Sequence, residues 1–243
     1  MFSFRWQGLA LRLAFIAVPL STAFAHAAVN AAPPDTIAQR VIACAACHGS
    51  EGRATNEGYY PRIAGKPVAY LFNQLLNFRD GRRRNAAMTY LVAHQTDAYL
   101  GEIAAHFAAQ HLPYPAPRAG NASAADLERG RRLAQDGDRT RGLPACAACH
   151  GAVLMGVMPA MPGLLGLPRD YLSAQIGAWK GGMRRAATPD CMAQVARALQ
   201  PEDVSAVSAW LAAQPVPPSS APAPVGSVSA PIKCGMFDVP VRP

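Results

Sequence analysis

The spacing of apolar residues along the chain is typical of amphipathic helices. Leu71, Leu75 and Phe78, for example, share one helical stripe. Such stripes predict helices in the first half of the chain within 35–48, 68–78 and 97–110. In the second half they predict helices at about 124–136 with 145–150, 168–180 and 201–214. No strand-like alternation of any length is seen, so the pattern predicts an all-α protein.

The second half of the chain repeats the first. The pentapeptide Cys-Ala-Ala-Cys-His occurs at 44–48 and again at 146–150, 102 residues later. Downstream of it, matching residues lie 101 apart: Pro61 and Pro162, Tyr70 and Tyr171, Gln74 and Gln175, Phe78 and Trp179, Arg83 and Arg184. The ends of the last helices match at an offset of 104. Offsets that drift so little predict a duplicated domain with small changes in loop length.

Composition marks the borders of the two copies. The segment 111–124 is rich in Pro, Gly and Ser, which is typical of a linker. After Gln214 the chain becomes a Pro- and Ser-rich, low-complexity tail that we predict to be extended and not packed. The expected organisation is a leader at 1–27, a first domain at 28–111, a linker at 112–124, a second domain at 125–214 and a tail at 215–243.

The first 27 residues have the features of a secretory signal peptide. Arg5 and Arg12 precede an apolar stretch at 13–20, and small residues follow, with Ala25-His26-Ala27 fitting a cleavage site. The stretch is short for a membrane span, although an uncleaved anchor is the alternative interpretation. In either case we expect the rest of the chain to be exported to the periplasm.

The charge balance is basic. The chain of 243 residues has 23 Lys+Arg against 15 Asp+Glu, a formal charge of +8, which becomes +6 when Arg5 and Arg12 leave with the leader (21 against 15). Arginines cluster at 82–84 and 184–185. Such clusters can bind nucleic acid, but we expect no nucleic-acid partner for an exported protein. A solvated surface, or compensation of a bound anionic cofactor, are the two remaining interpretations.

The repeated pentapeptide carries the chemistry. Cys-x-x-Cys-His in an exported protein is the attachment site of c-type haem. On a helix, Cys44 and Cys47 lie on one face, where each thiol can form a thioether with a haem vinyl group, and His48 reaches the iron from that face. The second copy offers the same set in Cys146, Cys149 and His150. A thioredoxin-like dithiol would require a βαβ setting, and zinc would require a fourth ligand. We therefore predict two covalently bound haem c groups.

The ligand on the far side of each iron is predicted from the repeat. Met88 lies 40 residues after His48, and Met192 lies 42 after His150. Both methionines precede the last helix of their copy. A six-coordinate His/Met iron has no open position for a substrate, and the thioether raises the reduction potential. This ligation favours an electron carrier over an enzyme.

Other side chains compete for the same role. The histidines without a repeated counterpart are His94, His106 and His111, which we interpret as surface or packing residues. A second group of methionines follows His150 within eleven residues, which leaves a short connection to the far side of a haem. We interpret them as packing at the haem edge, with the last of the three as the strongest rival ligand: Met155, Met158 and Met161.

Together these features resemble the cytochrome c4 family over about 36–214. In each copy the Cys-x-x-Cys-His motif is followed by P-x-x-x-G, Y-L-x-x-Q, an aromatic residue, a glycine, the methionine and a final amphipathic helix. The resemblance implies two tandem class I cytochrome c domains related by a pseudo-twofold, each wrapped around one covalent His/Met haem. It also implies periplasmic transfer of single electrons from a cytochrome bc complex or a dehydrogenase to a terminal oxidase, with peripheral membrane association through these partners.

Three features depart from the family pattern. The segment 153–161 is rich in methionine, Cys191 directly precedes Met192, and the tail extends beyond the family's usual end. These features support an alternative function, the cytochrome subunit of one particular periplasmic dehydrogenase. A dihaem peroxidase is a further alternative, although it needs a haem with an open or labile distal position.

Two cysteines remain outside the haem motifs. Because both are expected in an oxidising compartment, we predict a disulfide between Cys191 and Cys234 that holds the tail on the second copy. The alternatives are a buried Cys191 with Cys234 paired to another molecule, or a Cys191 thiolate that competes with Met192 for the iron.

Overall fold

The computed structural model describes residues 34–54, 59–117 and 120–237. The described residues from 35 onward form one compact unit, in which the two copies of the repeat pack against each other. The predicted signal peptide lies outside the described residues. Within the described part of the chain, no helix combines the length and apolar character needed to span a membrane.

The described residues of the first copy form five α-helices: α1 (Ile37–Arg40), α2 (Ile42–His48), α3 (Val68–Arg79), α4 (Ala86–Val92) and α5 (Asp97–Ala108). Helix α5 begins at a side-chain cap, because the Thr96 hydroxyl accepts a hydrogen bond from the Tyr99 amide (3.2 Å). Helices α3 and α5 pack together through their apolar stripes, and Phe72, Leu100 and Phe107 are fully buried between them. The helices predicted from these stripes are confirmed.

The second copy has five helices in the same order: α6 (Ala124–Gln135), α7 (Ala147–His150), α8 (Arg169–Lys180), α9 (Cys191–Ala198) and α10 (Pro201–Ala213). Helices α6 and α10 approach closely at Gly130, where any side chain would collide with the Ala206 carbonyl. At the same junction the fully buried carboxylate of Asp203 pairs with Arg129 (2.7 Å) and Arg141 (2.6 Å). This buried ion pair has no counterpart in the first copy, which carries Tyr99 at the matching position.

The two copies meet through a reciprocal set of contacts. The Arg84 amide donates to the Met183 carbonyl (2.9 Å), and the Arg185 amide donates to the Arg82 carbonyl (2.6 Å). These two bonds exchange when every residue number is shifted by 101. Such self-complementary pairing is the mark of a twofold relation, and it gives the pseudo-twofold expected for tandem class I cytochrome c domains.

One small element was not predicted from the sequence, and one expectation is wrong. A short antiparallel hairpin, β1 (Gly156–Val157) with β2 (Met161–Pro162), follows the second haem motif where no strand was predicted. The tail also packs, since the Ala223 amide donates to the Gly156 carbonyl (2.9 Å) and the Ala223 carbonyl accepts from the Met158 amide (2.8 Å). Low-complexity composition could not reveal this packing, because it comes from backbone hydrogen bonds to the hairpin and from a covalent link.

That link is the disulfide between Cys191 and Cys234, whose Cα atoms lie 5.1 Å apart across a separation of 43 residues. The predicted pairing is confirmed, and it joins the start of α9 to the tail. The exact domain borders given above stay a prediction.

Candidate haem sites

Each Cys-x-x-Cys-His motif ends a helix. Cys44, Cys47 and His48 lie on α2, and the last of these is its terminal residue. In the second copy, Cys146 caps α7, while Cys149 and His150 lie within it. The helical spacing brings the two thiols of each motif to one face, and a glycine at positive φ then turns the chain away, with φ of 76° at Gly49 and 86° at Gly151.

The two histidines are held in the tautomer that a metal requires. His48 Nδ1 lies 2.9 Å from the Pro61 carbonyl, and His150 Nδ1 lies 2.8 Å from the Pro162 carbonyl. Since a carbonyl only accepts, Nδ1 must carry the proton and Nε2 is left with a free lone pair. Burial lowers the pKa of both imidazoles, which keeps them neutral.

Three of the motif thiols, those of Cys44, Cys146 and Cys149, are not activated. Burial raises the pKa of Cys44 and Cys149, and it raises the pKa of Cys146 to about 11. A redox-active dithiol instead needs a lowered thiol pKa in an electropositive setting. These half-buried, neutral thiols therefore suit a covalent structural link better than disulfide exchange.

Both motifs open onto one cavity of about 640 Å³ that extends across the two copies. Met88 and Met192 line this cavity as well, from helices α4 and α9. Each of these two helices begins at a polar cap: the Asn85 side chain accepts from the Met88 amide (3.1 Å), and the Asp190 side chain accepts from the Ala193 amide (2.9 Å). The short helices α4 and α9 thus fix both methionines at matching places in the repeat.

Most of the rival ligands considered from the sequence do not line the cavity. The cavity wall contains none of the three histidines that lack a repeated counterpart, His94, His106 and His111. Met155 is buried in the apolar core of the second copy, and Met158 also lies outside the cavity wall. Met161 does line the cavity, so its role as packing residue or rival ligand stays a prediction. Two further methionines line the wall, Met183 and Met236 of the tail, and neither was considered as a ligand from the sequence.

Comparison with known proteins agrees with this geometry. No protein-family model matches the sequence. The chain is 39% identical to the thiosulfate dehydrogenase electron acceptor of Thiomonas intermedia, over 80% of this chain and 87% of that protein. It is 31% identical to cytochrome c4 of Pseudomonas aeruginosa, over 78% of this chain and 91% of that protein. The chain belongs to the cytochrome c4 family.

Solved structures place the fold in the same family. Reduced cytochrome c4 from Pseudomonas stutzeri matches with a TM-score of 0.63 at 27% identity, over 75% of this chain and 98% of that one. A thiosulfate dehydrogenase from Marichromatium purpuratum, named TsdBA, matches with a TM-score of 0.64 at 34% identity over 73% of this chain. The present chain spans only 38% of the length of that dehydrogenase. As a cytochrome c4, the protein carries two covalently bound haem c groups and transfers electrons.

The arginines predicted to compensate an anionic cofactor lie where the two copies meet. The Arg83 guanidinium stacks on Phe78, its carbon 4.5 Å from the ring centre, and donates to Gln74 (2.9 Å). It also crosses to the other copy and donates to Gln175 (2.8 Å) and the Tyr171 hydroxyl (3.2 Å). Arg83 thus connects the parts of the cavity wall that come from the two copies.

Arg184 makes the mirror set of contacts from the second copy. It stacks on Trp179 (3.8 Å), donates to Gln175 (2.7 Å), and crosses to Gln74 (2.9 Å) and the Tyr70 hydroxyl (3.4 Å). Burial lowers its pKa from the ordinary arginine value. Among the described residues neither Arg83 nor Arg184 pairs with a carboxylate, and both line the cavity. A buried Arg184 and a partly exposed Arg83, both without an acidic partner, fit the propionate groups that haem c brings to such a cavity.

Lys66 introduces an asymmetry that the sequence did not reveal. This residue of the first copy is buried, and its ammonium donates to the Gly163 carbonyl (3.0 Å), next to the Pro162 carbonyl that holds His150. Burial, reinforced by the charge of Arg62, lowers the pKa of Lys66 to about 8. Since the matching residue of the second copy is Leu167, only the second haem site has this extra cation among the described residues.

Proposed function

We propose that this cytochrome c4 is an exported carrier that receives single electrons from a periplasmic thiosulfate-oxidising dehydrogenase and passes them to a terminal oxidase. The observation that carries the proposal is a difference in sequence identity. The chain is 39% identical to a thiosulfate dehydrogenase electron acceptor, and 31% identical to a relative named only cytochrome c4. The match to the dehydrogenase named TsdBA supports the same class of partner. A cytochrome bc complex is the alternative donor.

The residues of the cavity have distinct roles in this function. Cys44 and Cys47 hold the first haem, and Cys146 and Cys149 hold the second. Each haem would supply an iron that accepts or releases one electron, and the proposed function requires no other reaction. We assign the axial ligands by copy, in the pairs His48 with Met88 and His150 with Met192.

The protein environment keeps these ligands in place in both oxidation states. The carbonyls of Pro61 and Pro162 orient the imidazoles, and the caps Asn85 and Asp190 fix the helices that carry the methionines. A rigid ligand set lowers the reorganisation that accompanies each electron transfer. If Met88 and Met192 ligate the two irons, neither iron would have an open position for peroxide, so we propose no peroxidase activity.

Location follows from the same chemistry. The leader at 1–27 has the pattern of a secretory signal, and covalent haem attachment through Cys-x-x-Cys-His is a property of exported cytochromes. We therefore propose a periplasmic protein that meets the membrane through its partners.

A single-turnover experiment tests the proposed donor. The oxidised holo protein is mixed without oxygen with thiosulfate and a catalytic amount of a thiosulfate dehydrogenase, and the haem absorption is followed. We expect both haems to be reduced, with two electrons taken up per chain, while a mixture without thiosulfate stays oxidised. If dithionite reduces the protein fully but the dehydrogenase does not, the proposed donor is wrong.

The same preparation tests the alternatives. Reduction by a cytochrome bc complex, and not by the dehydrogenase, would assign the chain to the general respiratory pathway. Repeated turnover of hydrogen peroxide with the reduced protein would contradict the carrier function and support a peroxidase.

A further inference from the structure

The tail reaches the distal side of the second haem site. Its Cys234 is bonded to Cys191, the residue that directly precedes Met192 on α9. The next tail residue, Gly235, donates its amide to the Pro189 carbonyl (2.9 Å), just before the same helix. A side chain at Gly235 would collide with the Thr188 carbonyl, so the tail backbone lies directly against the segment that leads into α9.

The tail is also fixed from the other copy. The buried Asn73 side chain of α3 donates its amide to the Met236 carbonyl (3.1 Å). The Met236 side chain is 9% exposed and forms part of the cavity wall. The tail therefore closes one side of the cavity and is held by both copies.

An apolar cluster surrounds this contact. Its buried members are Val157, Met161, Cys191, Cys234 and Met236, and Cys149 of the second haem motif packs against it. The cluster thus connects Cys149, a proposed thioether residue, with Cys191, the residue next to Met192. No tail residue occupies the matching place in the described part of the first copy, where Ala87 stands in the position of Cys191 and is exposed to solvent.

We propose that the tail is a built-in cap of the second haem site, in which the Cys191–Cys234 disulfide and Met236 are positioning residues that keep Met192 on its iron. The proposal rests on the proposed function, because it takes Met192 as the distal ligand. The tail is bonded to α9 through the disulfide and to the first copy through Asn73, so that α9 cannot move away from the cavity without carrying the tail with it. In the described part of the first copy, α4 has its Asn85 side-chain cap but no such link to the tail.

Cyanide binding to the oxidised holo protein tests the cap, because cyanide binds only iron that has lost its methionine. The main variant is C191A/C234A, which gives the second copy the alanine found at position 87 and leaves no free thiol beside the iron. We expect half of the haem to bind cyanide about tenfold more tightly, since its open fraction rises, and the other half to behave as in the wild type. The same half should lose its weak methionine–iron absorption band first on heating.

Two further variants keep the test informative if the double variant does not assemble with haem. Met236→Ala and Asn73→Ala leave the disulfide intact, and each should increase cyanide affinity at the second haem in the same direction by a smaller factor. Val225→Ser changes an exposed tail residue outside the apolar cluster. It is the matched control and should leave both haems unchanged.

Met192→Ala separates the cap from the ligand assignment. If Met192→Ala keeps the full methionine–iron band, Met192 is not the ligand, and both the assignment and the cap are wrong. If Met192→Ala loses half of the band while C191A/C234A and Met236→Ala bind cyanide as the wild type does, the assignment stands and the cap alone is refuted.

Discussion

Helices α4 and α9 hold Met88 and Met192 at matching places, yet their surroundings differ. In α4 the side chains of Ala87, Tyr90 and Leu91 are exposed, and Tyr90 is 84% exposed. In α9 the first residue is buried and bonded to the tail. Duplication has preserved the residues that we propose hold and ligate haem, whereas the surface over each proposed methionine ligand has diverged. The copy with the uncovered helix offers the more accessible surface for a redox partner.

A second difference lies on the histidine side of each haem. The second copy has Gly163 and Leu167 where the first has the buried cations Arg62 and Lys66. Arg62 stacks on Tyr114 of the linker (3.9 Å), whereas Lys66 reaches into the second copy. A charge from one copy thus acts on the haem of the other, and two similar ligand sets need not have equal potentials.

The largest expected difference between the copies concerns stability. Asp203→Ala removes the buried carboxylate, leaves Arg129 without an acidic partner and leaves Arg141 with Asp138 alone. Because both arginines are partly exposed, the cost should be about 2–3 kcal/mol. Chemical denaturation of the holo protein should show the second copy unfolding first. Asp136→Ala breaks an exposed ion pair (3.7 Å) and is the control, with an expected cost of under about 1 kcal/mol. Equal costs for the two variants would contradict the structure.

The same carboxylate gives a pH dependence. Although burial alone would raise the pKa of Asp203, its hydrogen bonds to Arg141, the Gln200 amide and Arg129 hold the pKa below the ordinary value of 3.8. A lowered pKa in the folded state means that the stabilisation is complete above pH 3.8 and is lost as the pH falls below it. Asp203→Ala should therefore flatten the loss of stability in acid.

Removal of either methionine should change one haem and leave the other. Met88→Ala and Met192→Ala should each lower the potential of one haem by about 100 mV or more, because the thioether favours reduced iron. Both haems should stay covalently attached. A redox titration followed by absorbance measures both effects, and an unchanged potential in either variant would show that its methionine is not a ligand.

Substitution of Arg184 should destabilise the protein more than substitution of Arg83. Arg184 is buried, whereas Arg83 is partly exposed, so Arg184→Ala leaves the buried Gln74 with a weaker set of partners. We expect Arg184→Ala to cost about 2 kcal/mol and Arg83→Ala about half as much. Calorimetry should also show the copies unfolding less cooperatively in Arg184→Ala. A larger loss in Arg83→Ala would reverse this ranking of the interface.

Lys66 should affect the second haem alone. A buried cation disfavours oxidised iron, so Lys66→Met should lower the second potential by about 30–60 mV and leave the first unchanged. In the wild type that potential should fall as the pH rises through about 8, because Lys66 then loses its proton. The charged group nearest to it, Arg62, stays protonated over this range. A pH-independent second potential, or a change at the first haem, would rule out this role.

The smallest effect should be that of salt on the partner reaction. The first copy (35–111) has eight Lys+Arg against six Asp+Glu, and the second (112–214) has eleven against eight, so neither presents a large net charge. Electron-transfer encounters are small and weak. We expect the rate with the natural oxidase to change little with ionic strength, and a steep dependence would indicate a charged recognition face.

How far the sequence predicts the molecule depends on the length of each element. The stripes of α3 and α5 run for twelve residues each, which is enough for periodicity to be recognised. Helices α4 and α9, with seven and eight residues, give too little signal. The repeat located Met88 and Met192 all the same, because it compares the copies and does not require a helix.

Features that join distant segments were harder to predict. The hairpin at 156–162 has two-residue strands, which leave no alternation to detect. The contacts of Met236 and the crossing of Lys66 depend on how the copies pack, which neither copy encodes alone. Arg83 and Arg184 were recognised as a repeated pair, but not as residues that reach into the opposite copy. By contrast, cysteine count and compartment were sufficient to predict the Cys191–Cys234 disulfide.

The central claim is that both haems are six-coordinate with histidine and methionine. Combined absorption and electron paramagnetic resonance spectra of the oxidised holo protein test it most directly. We predict two low-spin haems, methionine–iron absorption equivalent to two bonds per chain, and no change on adding hydrogen peroxide. A high-spin signal from either haem, or methionine–iron absorption equivalent to one bond, would contradict the account.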